Sequence, residues 1–296
     1  MKIIDCCMFF NEDLILDLRL NELDKYVDFF VIVESAFTHS GEYKNLNFDI
    51  KKYEKFKNKI IYLKILNKPE NLFKIKKSDT INQVKEKQII NALILENFQR
   101  NYISEGLKNF NDDDYILISD VDEIPNLNRV NFDKLKNKIS LFKQYFFHYK
   151  FNLFLDNFYF FGSKGCIKKK LISPQWLRNI KGKKYSKFRI DAYFSKKKYN
   201  NIKIVEKGGW HFTNVMDEEK IIYKLKSYLH HADFPENLLD KDIFKNLIKD
   251  KKIMYDHSAD KSQDRFKNRK PLNEFDKNLL PEYIKNNQEK FKDWLI

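Results

Sequence analysis

Glycine and proline are scarce in this chain, 7 and 6 among 296 residues, which excludes collagen-like and Gly/Ser-linker architectures. Cysteine is scarcer still: Cys6, Cys7 and Cys166. Adjacent cysteines make poor disulfide partners and no CxxC pair is present for zinc, so a reducing, cytoplasmic setting is the expectation. No apolar run approaches the ~18 residues that a membrane span needs. The opening, Met1 to Phe10, has a short h-region broken by Asp5, and no secretory signal is expected from it. Internal repeats and low-complexity linkers are also missing.

What is present is a hydrophobic share of 43% beside a charged share of 33%. That balance fits a globular chain, and the length fits one large α/β domain or two small ones. The formal net charge is +14. A basic surface attracts phosphates, whether on nucleic acid, anionic lipid or a nucleotide-linked substrate. The lysine runs at 74–77, 168–170, 181–184, 196–198 and 249–252 are scattered, however, and the chain is rich in Lys, Asn, Ile and Phe, as products of AT-rich genes tend to be. A solvated surface is the simpler reading. No RRM, zinc or helix-turn-helix signature accompanies the charge, so a nucleic-acid partner is not expected.

The first half alternates strand-like and helix-like segments. Ile3 to Phe10 is a compact apolar run, followed by Asn11-Glu12-Asp13 and a leucine-rich helical stretch. Phe29 to Val33 has the β-branched, aromatic character of a buried parallel strand, closed by Glu34-Ser35. Ile60 to Leu66 reads as a third strand, Ile81 to Phe110 as one or two helices, and Tyr115 to Ser119 as a fourth strand. Beyond Pro125 the character changes. Residues 141–161 are dense in aromatics with partial period-2 alternation, which predicts antiparallel strands; residues 202–212 predict a strand ending in Gly208-Gly209-Trp210-His211-Phe212. A helix is expected from about Asp217 to His230, and the last stretch reads as polar and mostly helical.

The segment that carries chemistry is Asp120-Val121-Asp122-Glu123-Ile124-Pro125. It lies just past a buried strand, where open α/β sheets place their ligands. Residues i and i+2 of extended backbone face one side, so Asp120 and Asp122 can present two carboxylates to one site. Hard oxygen donors of this kind suit Mg²⁺ or Mn²⁺ bound together with a diphosphate, and such a cation neutralises charge on a departing nucleotide. The plainer alternative is an acidic turn that caps the following segment.

The opening IIDCCMFFNEDLILDLRLNEL with VDFFVIVES, the Gln99-Arg100-Asn101 triplet before Gly106-Leu107, SDVDEIP at 119–125, GGWHF at 208–212, Glu219, Lys224, Asp233-Phe234-Pro235 and the closing LPEYIKNNQEKFKDWL follow one another in a familiar order. Over essentially its whole length the chain resembles the glycosyltransferases of family 17, whose best-known member transfers N-acetylglucosamine in β-1,4 linkage to a mannosyl glycoprotein. The resemblance implies a GT-A type α/β fold. Residues 1–125 would form a Rossmann-like nucleotide-sugar half with a central, mostly parallel sheet. Residues 126–230 would form the acceptor and catalytic half, and 231–296 a helical C-terminal segment. It also implies a UDP-sugar donor, UDP-GlcNAc above all, and inversion at the anomeric carbon.

On that basis Asp122 is the expected direct metal ligand, with Asp120 on the ribose or the ion's water shell. Glu123 either orients these carboxylates or caps the next turn. Asn11 and Glu12 end the first strand and Glu34 the second, which places them beside the nucleotide crevice. Glu34 would accept from uracil N3–H or the ribose, or else is a loop carboxylate. Arg100 is a candidate bidentate clamp on the diphosphate, or else a helix-surface ion pair. His211 would supply a further metal ligand, as late histidines do in many GT-A enzymes, or sit in the core; His230, His231 and His257 are further candidates. Trp210 would form a wall for the sugar or be a core residue. Inversion needs a base for the acceptor hydroxyl. By analogy with acids at helix starts in inverting GT-A enzymes this is Glu219, with Asp217 and Glu218 behind it, although helix N-termini favour carboxylates for electrostatic reasons alone.

The resulting expectation is a metal-dependent, inverting glycosyltransferase acting on a glycan or lipid-linked glycan acceptor, such as a bacterial lipopolysaccharide or capsule precursor. Its place would be the cytoplasm, with basic patches that could hold it peripherally at the inner face of the membrane. The rivals are a nucleotidyltransferase, which would release pyrophosphate, a glycoside hydrolase, which needs neither metal nor nucleotide, an inactive glycan binder, and a basic nucleic-acid-binding protein.

Overall fold

The computed structural model describes residues 1–136, 138–183, 188, 190, 194, 195, 199, 201–228, 235–257, 264–267 and 269–296. The apolar runs of the first half form β1 (Ile3–Phe9), β2 (Phe29–Ser35), β3 (Ile60–Ile65) and β4 (Tyr115–Asp120), parallel and in the spatial order β3-β2-β1-β4. Alternate side chains go to opposite faces. Ile4, Cys6, Val31, Val33, Ile116 and Ile118 join one buried cluster, and Cys7, Phe9, Phe30, Ile32, Tyr115 and Leu117 another. Both faces are covered, which is why these strands read as unbroken apolar runs.

Helix α1 (Asp13–Leu23) covers one face through Ile15, Leu16, Leu18, Leu20 and Leu23. Helices α2 (Ile81–Asn101) and α3 (Ile103–Gly106) cover the other through Phe98 and Ile103, with Leu107 just past α3. A capping box between Thr80 and Gln83 starts α2. Because α1 follows β1 on one side while α2 and α3 precede β4 on the other, the carboxyl ends of β1 and β4 open onto a crevice between the two crossovers.

The ten-stranded sheet continues as β4-β7-β6-β9-β5. The aromatic segment forms β6 (Ile139–His148) and β7 (Leu153–Ile167), paired antiparallel as expected. The strand predicted over 202–212 is two strands, β8 (Ile202–Val205) and β9 (Gly209–Thr213), both parallel to β6. The break falls where Lys207 and Gly209 take positive φ, +50° and +130°. A Cβ at Gly209 would lie 2.1 Å from the Ile124 carbonyl, so only glycine lets β9 pair with β5 (Glu123–Pro125).

After β7 come α4 (Pro174–Asn179), α5 (Glu218–Ser227) and α6 (Lys241–Lys249). A third core joins Phe146, Tyr149 and Leu153 to Ile221 and Leu225 of α5 and to Phe244 and Leu247 of α6. The C-terminal stretch is less helical than its composition suggested. Among the described residues, short helices at Glu282–Asn286 and Gln288–Phe291 follow a two-residue strand, β10 (Asn273–Glu274), that pairs antiparallel with β7, and Ile253, Met254, Leu272, Phe275 and Leu280 are each buried without helical spacing. Among the described residues no helix is long and apolar enough to cross a membrane.

Candidate active site

A cavity of about 440 Å³ opens at the ends of β1 and β4. Glu12 enters it from the β1 side, Asp120 and Asp122 from β4 and the turn after it, and Glu96, Gln99 and Arg100 from α2. His211 of β9, Lys224 of α5 and His257 complete the opposite wall. Of the residues singled out from sequence, Glu12, Arg100, Asp120, Asp122, His211 and His257 therefore meet in one place.

The acidic turn is held from beneath by a buried ion pair. Arg19 of α1 makes a bidentate contact with Asp5 of β1, at 2.6 and 2.7 Å, and its Nη1 donates to the carbonyls of Asp120, Val121 and Glu123 at 3.2, 3.3 and 2.7 Å. Burial works against the Arg19 charge, but Asp5 outweighs it and raises the guanidinium pKa. The turn is thus fixed by its backbone, and Asp120 and Asp122 are left to line the cavity.

Glu123 is fully buried and does orient the motif. It accepts the Asp120 N–H at 2.8 Å and both Nη groups of Arg178 at 2.7 Å. Gly162 makes room for it: a Cβ there would meet Gln144 Oε1 at 2.1 Å and Glu123 Cδ at 2.8 Å, and Arg178 also donates to the Gly162 carbonyl. Arg178 continues to Asp120 Oδ2 at 2.9 Å, and Arg100 reaches Asp120 Oδ1 at 2.9 Å. Burial alone would raise the Asp120 carboxyl pKa, but Arg178 and then Arg100 outweigh it and hold it well below the usual carboxylate range. Arg100 is further tied to Glu96 at 2.8 Å and to Gln175 at 2.5 Å. Arg178 is itself anchored through α4. Lys164 of β7 donates to the carbonyls of Arg178 and Ile180, and burial, with Arg178 beside it, pushes its pKa down to about 7.

Asp122 has different company. Its Oδ2 lies 3.3 Å from Lys224 Nζ and its Oδ1 3.5 Å from His211 Nε2. Burial would raise its pKa, but Lys224 and His211 hold it well below the usual range. Lys224 also sits 3.0 Å from Glu12 Oε1, while Glu12 Oε2 accepts the N–H groups of Phe10 and Asn11 at 3.2 and 3.1 Å. Strand alternation turns His211 toward the cavity, against the rings of Phe146 and Phe160, and sends Trp210 and Phe212 into the core. Trp210 accordingly donates to the Leu279 carbonyl at 3.0 Å and does not line the cavity. His211 Nδ1 and His257 Nε2 are buried without a hydrogen-bond partner among the described residues.

Other candidates lie elsewhere. Glu34 is buried, and Lys44 Nζ, the N–H groups of Asn47 and Phe48, and the Tyr62 hydroxyl occupy its carboxylate at 2.6, 2.7, 3.0 and 2.8 Å; it organises the 44–48 loop. Asn11 follows β1 but does not line the cavity, and its Oδ1 is buried without a partner. Asp217 is the N-cap residue of α5 without a capping hydrogen bond, and pairs with Lys220 at 3.5 Å. Glu219 is 75% exposed and pairs with Lys241 at 2.6 Å, so neither acid reaches the cavity wall. His230, His231 and Asp233 lie outside the described residues.

Two groups, Asp122 and His211, converge closely enough to share one divalent cation. Among the described residues no set of three or more His, Cys, Asp or Glu is arranged to hold an ion by itself. This donor set fits a cation that takes the rest of its coordination from phosphate oxygens and water. Beyond the predicted residues, Arg19, Arg178 and Lys224 build the site. Lys224 and Arg19 stood within the recurring sequence pattern without a role assigned to either, whereas Arg178 carried no local signal.

Compared with known families, the chain matches the family model described as glycosyltransferase family 17 over residues 1–296. A search of curated proteins found no match.

Proposed function

The chain belongs to glycosyltransferase family 17, and from that premise we propose that the cavity at the ends of β1 and β4 binds a UDP-sugar with a divalent cation and hands the sugar, with inversion, to a glycan hydroxyl. Family membership makes the protein a glycosyltransferase with a sugar donor and an acceptor. A GT-A type reaction, UDP-GlcNAc as donor, Mn²⁺ or Mg²⁺ as cofactor and a lipid-linked glycan acceptor met at the cytoplasmic face of a membrane are our reading. The observation that carries it is the meeting of Asp120, Asp122, His211, Arg100 and Lys224 at one switch point of the parallel sheet.

In this reading Asp122 and His211 hold the cation, which would neutralise charge on the departing UDP. Asp120 is kept ionised by two arginines and sets the shape of the diphosphate seat. Arg100 lines the same seat and keeps its Nε buried without a partner among the described residues, and in this reading that N–H is the donor to a phosphate oxygen. The acceptor hydroxyl needs a base within about 3 Å of its proton. Among the described residues, Glu12 and Glu96 are the carboxylates of the cavity outside the Asp-Val-Asp motif, and in this reading the base is one of them in place of the surface acids Asp217 and Glu219.

The test is UDP release with a panel of UDP-sugars, in Mn²⁺, in Mg²⁺ and in EDTA. Release that needs both an acceptor and the ion supports the reading. Undiminished transfer in EDTA, or pyrophosphate in place of UDP, overturns it.

A further inference from the structure

Lys224 is placed where a cofactor cation would exert its charge. Its Nζ bridges Glu12 Oε1 at 3.0 Å and Asp122 Oδ2 at 3.3 Å, and the three side chains are 20%, 4% and 11% exposed. Two buried carboxylates without a counter-charge are strongly unfavourable, so an ammonium between them keeps both ionised. Burial works against the Lys224 charge, yet Asp122 and Glu12 outweigh it and raise its pKa.

The same arrangement obstructs a metal. The other Asp122 oxygen, Oδ1, faces His211 Nε2 at 3.5 Å. A divalent ion seated there would share one carboxylate with the ammonium, and two cations that close in a poorly solvated site repel. A diphosphate relieves the conflict. It draws the ammonium on its flexible four-carbon stem toward the phosphates and adds oxygen ligands to the ion.

We propose that Lys224 is a placeholder cation: in the free enzyme it neutralises Asp122 and Glu12, and it releases Asp122 only when a diphosphate receives its ammonium, so that ion and donor bind as a coupled pair. The inference rests on the metal-dependent reading of this cavity and adds an order to it. Free enzyme takes up the ion poorly, and the nucleotide brings it in.

The experiment measures protein-bound Mn²⁺ on the full chain by electron paramagnetic resonance, with and without UDP, after subtraction of the Mn²⁺ that UDP holds without protein. For the native chain UDP tightens Mn²⁺ by about tenfold or more, within the usual range of coupling between sites. Lys224→Met binds Mn²⁺ alone about tenfold more tightly than the native chain does, and UDP then adds about twofold or less. Lys224→Arg, which keeps the charge, keeps the native coupling. If Lys224→Met fails to fold, as judged by circular dichroism, Lys224→Gln, which retains a hydrogen-bond donor, is read in its place.

Equal or weaker Mn²⁺ binding by the neutral variant without UDP overturns the placeholder role and leaves the metal-dependent reading standing. Absence of Mn²⁺ binding to the native chain, with UDP as without, overturns both.

Discussion

The two walls of the cavity are finished to different degrees. On the wall built by β4, α2 and α4, Asp120 has a guanidinium on each oxygen and Glu123 accepts from both Arg178 nitrogens and from a backbone N–H. On the wall built by β9 and the chain around His257, buried ring nitrogens of His211 and His257 have no partner among the described residues, and His148 behind them has an unpartnered Nε2 as well. Buried polar groups are normally satisfied, and exceptions need a reason. Apart from the Arg100 Nε, the first wall is satisfied by its own ion pairs and positions the motif, whereas the second leaves three ring nitrogens without a partner among the described residues.

The largest effect that would test this contrast is on stability. Arg178→Met leaves Glu123 and Asp120 without their main counter-charge, and breaking a buried pair from one side costs about 3–5 kcal/mol. Thermal unfolding should show it, and a change under about 1 kcal/mol would mean that the first wall is not held as described. Next comes Asp122→Ala, which should leave the fold intact and lower transfer by about 10³-fold, since it removes charge stabilisation at the reacting phosphates. Near-normal UDP release would break the assignment of the second wall.

A smaller effect separates the acids. Either Glu12→Gln or Glu96→Gln should lower kcat by about 10²-fold, as loss of a general base does, while Glu219→Gln stays within a few-fold. The reverse pattern would move the base to the start of α5.

The smallest effect is with pH. Burial pushes His257 down from 6.5 to about 4, and burial together with its histidine neighbours holds His148 well below 6.5. The unfolded chain therefore takes up these protons first. The stability that comes from keeping the rings neutral is complete above about pH 6.5 and is lost progressively as pH falls toward 4. At pH 5.5 the loss is on the order of 1 kcal/mol per ring. His148→Phe and His257→Phe should each flatten the decline, and an unchanged acid limb would show that these rings are not held neutral.

Much of the scaffold was legible because it depends on local pattern. Doubly buried strands write themselves as apolar runs, and the position of Asp120 and Asp122 after Tyr115–Ser119 follows from the end of such a run. Alternation within Trp210-His211-Phe212 also decides which residue faces the cavity, once β9 is known to pair with β5 and β6. What escaped was long-range. Arg19 acts on carbonyls 101 to 104 residues away, Arg178 on carboxylates 55 and 58 away, and Lys224 on one 102 away. No periodicity announces such partners. Glu34 had the right position at a strand end, yet four donors from its own neighbourhood take its carboxylate, and a lysine opposite Glu219 does the same on the surface.

A crystal grown with UDP and Mn²⁺, read through the anomalous signal of manganese, decides whether Asp122 holds the ion beside the diphosphate. The expected result is a peak within about 2.1 Å of an Asp122 oxygen, shared with His211 and with the diphosphate, and Lys224 turned toward the phosphates. UDP seated outside this cavity, or an ion that leaves Asp122 untouched, would contradict it.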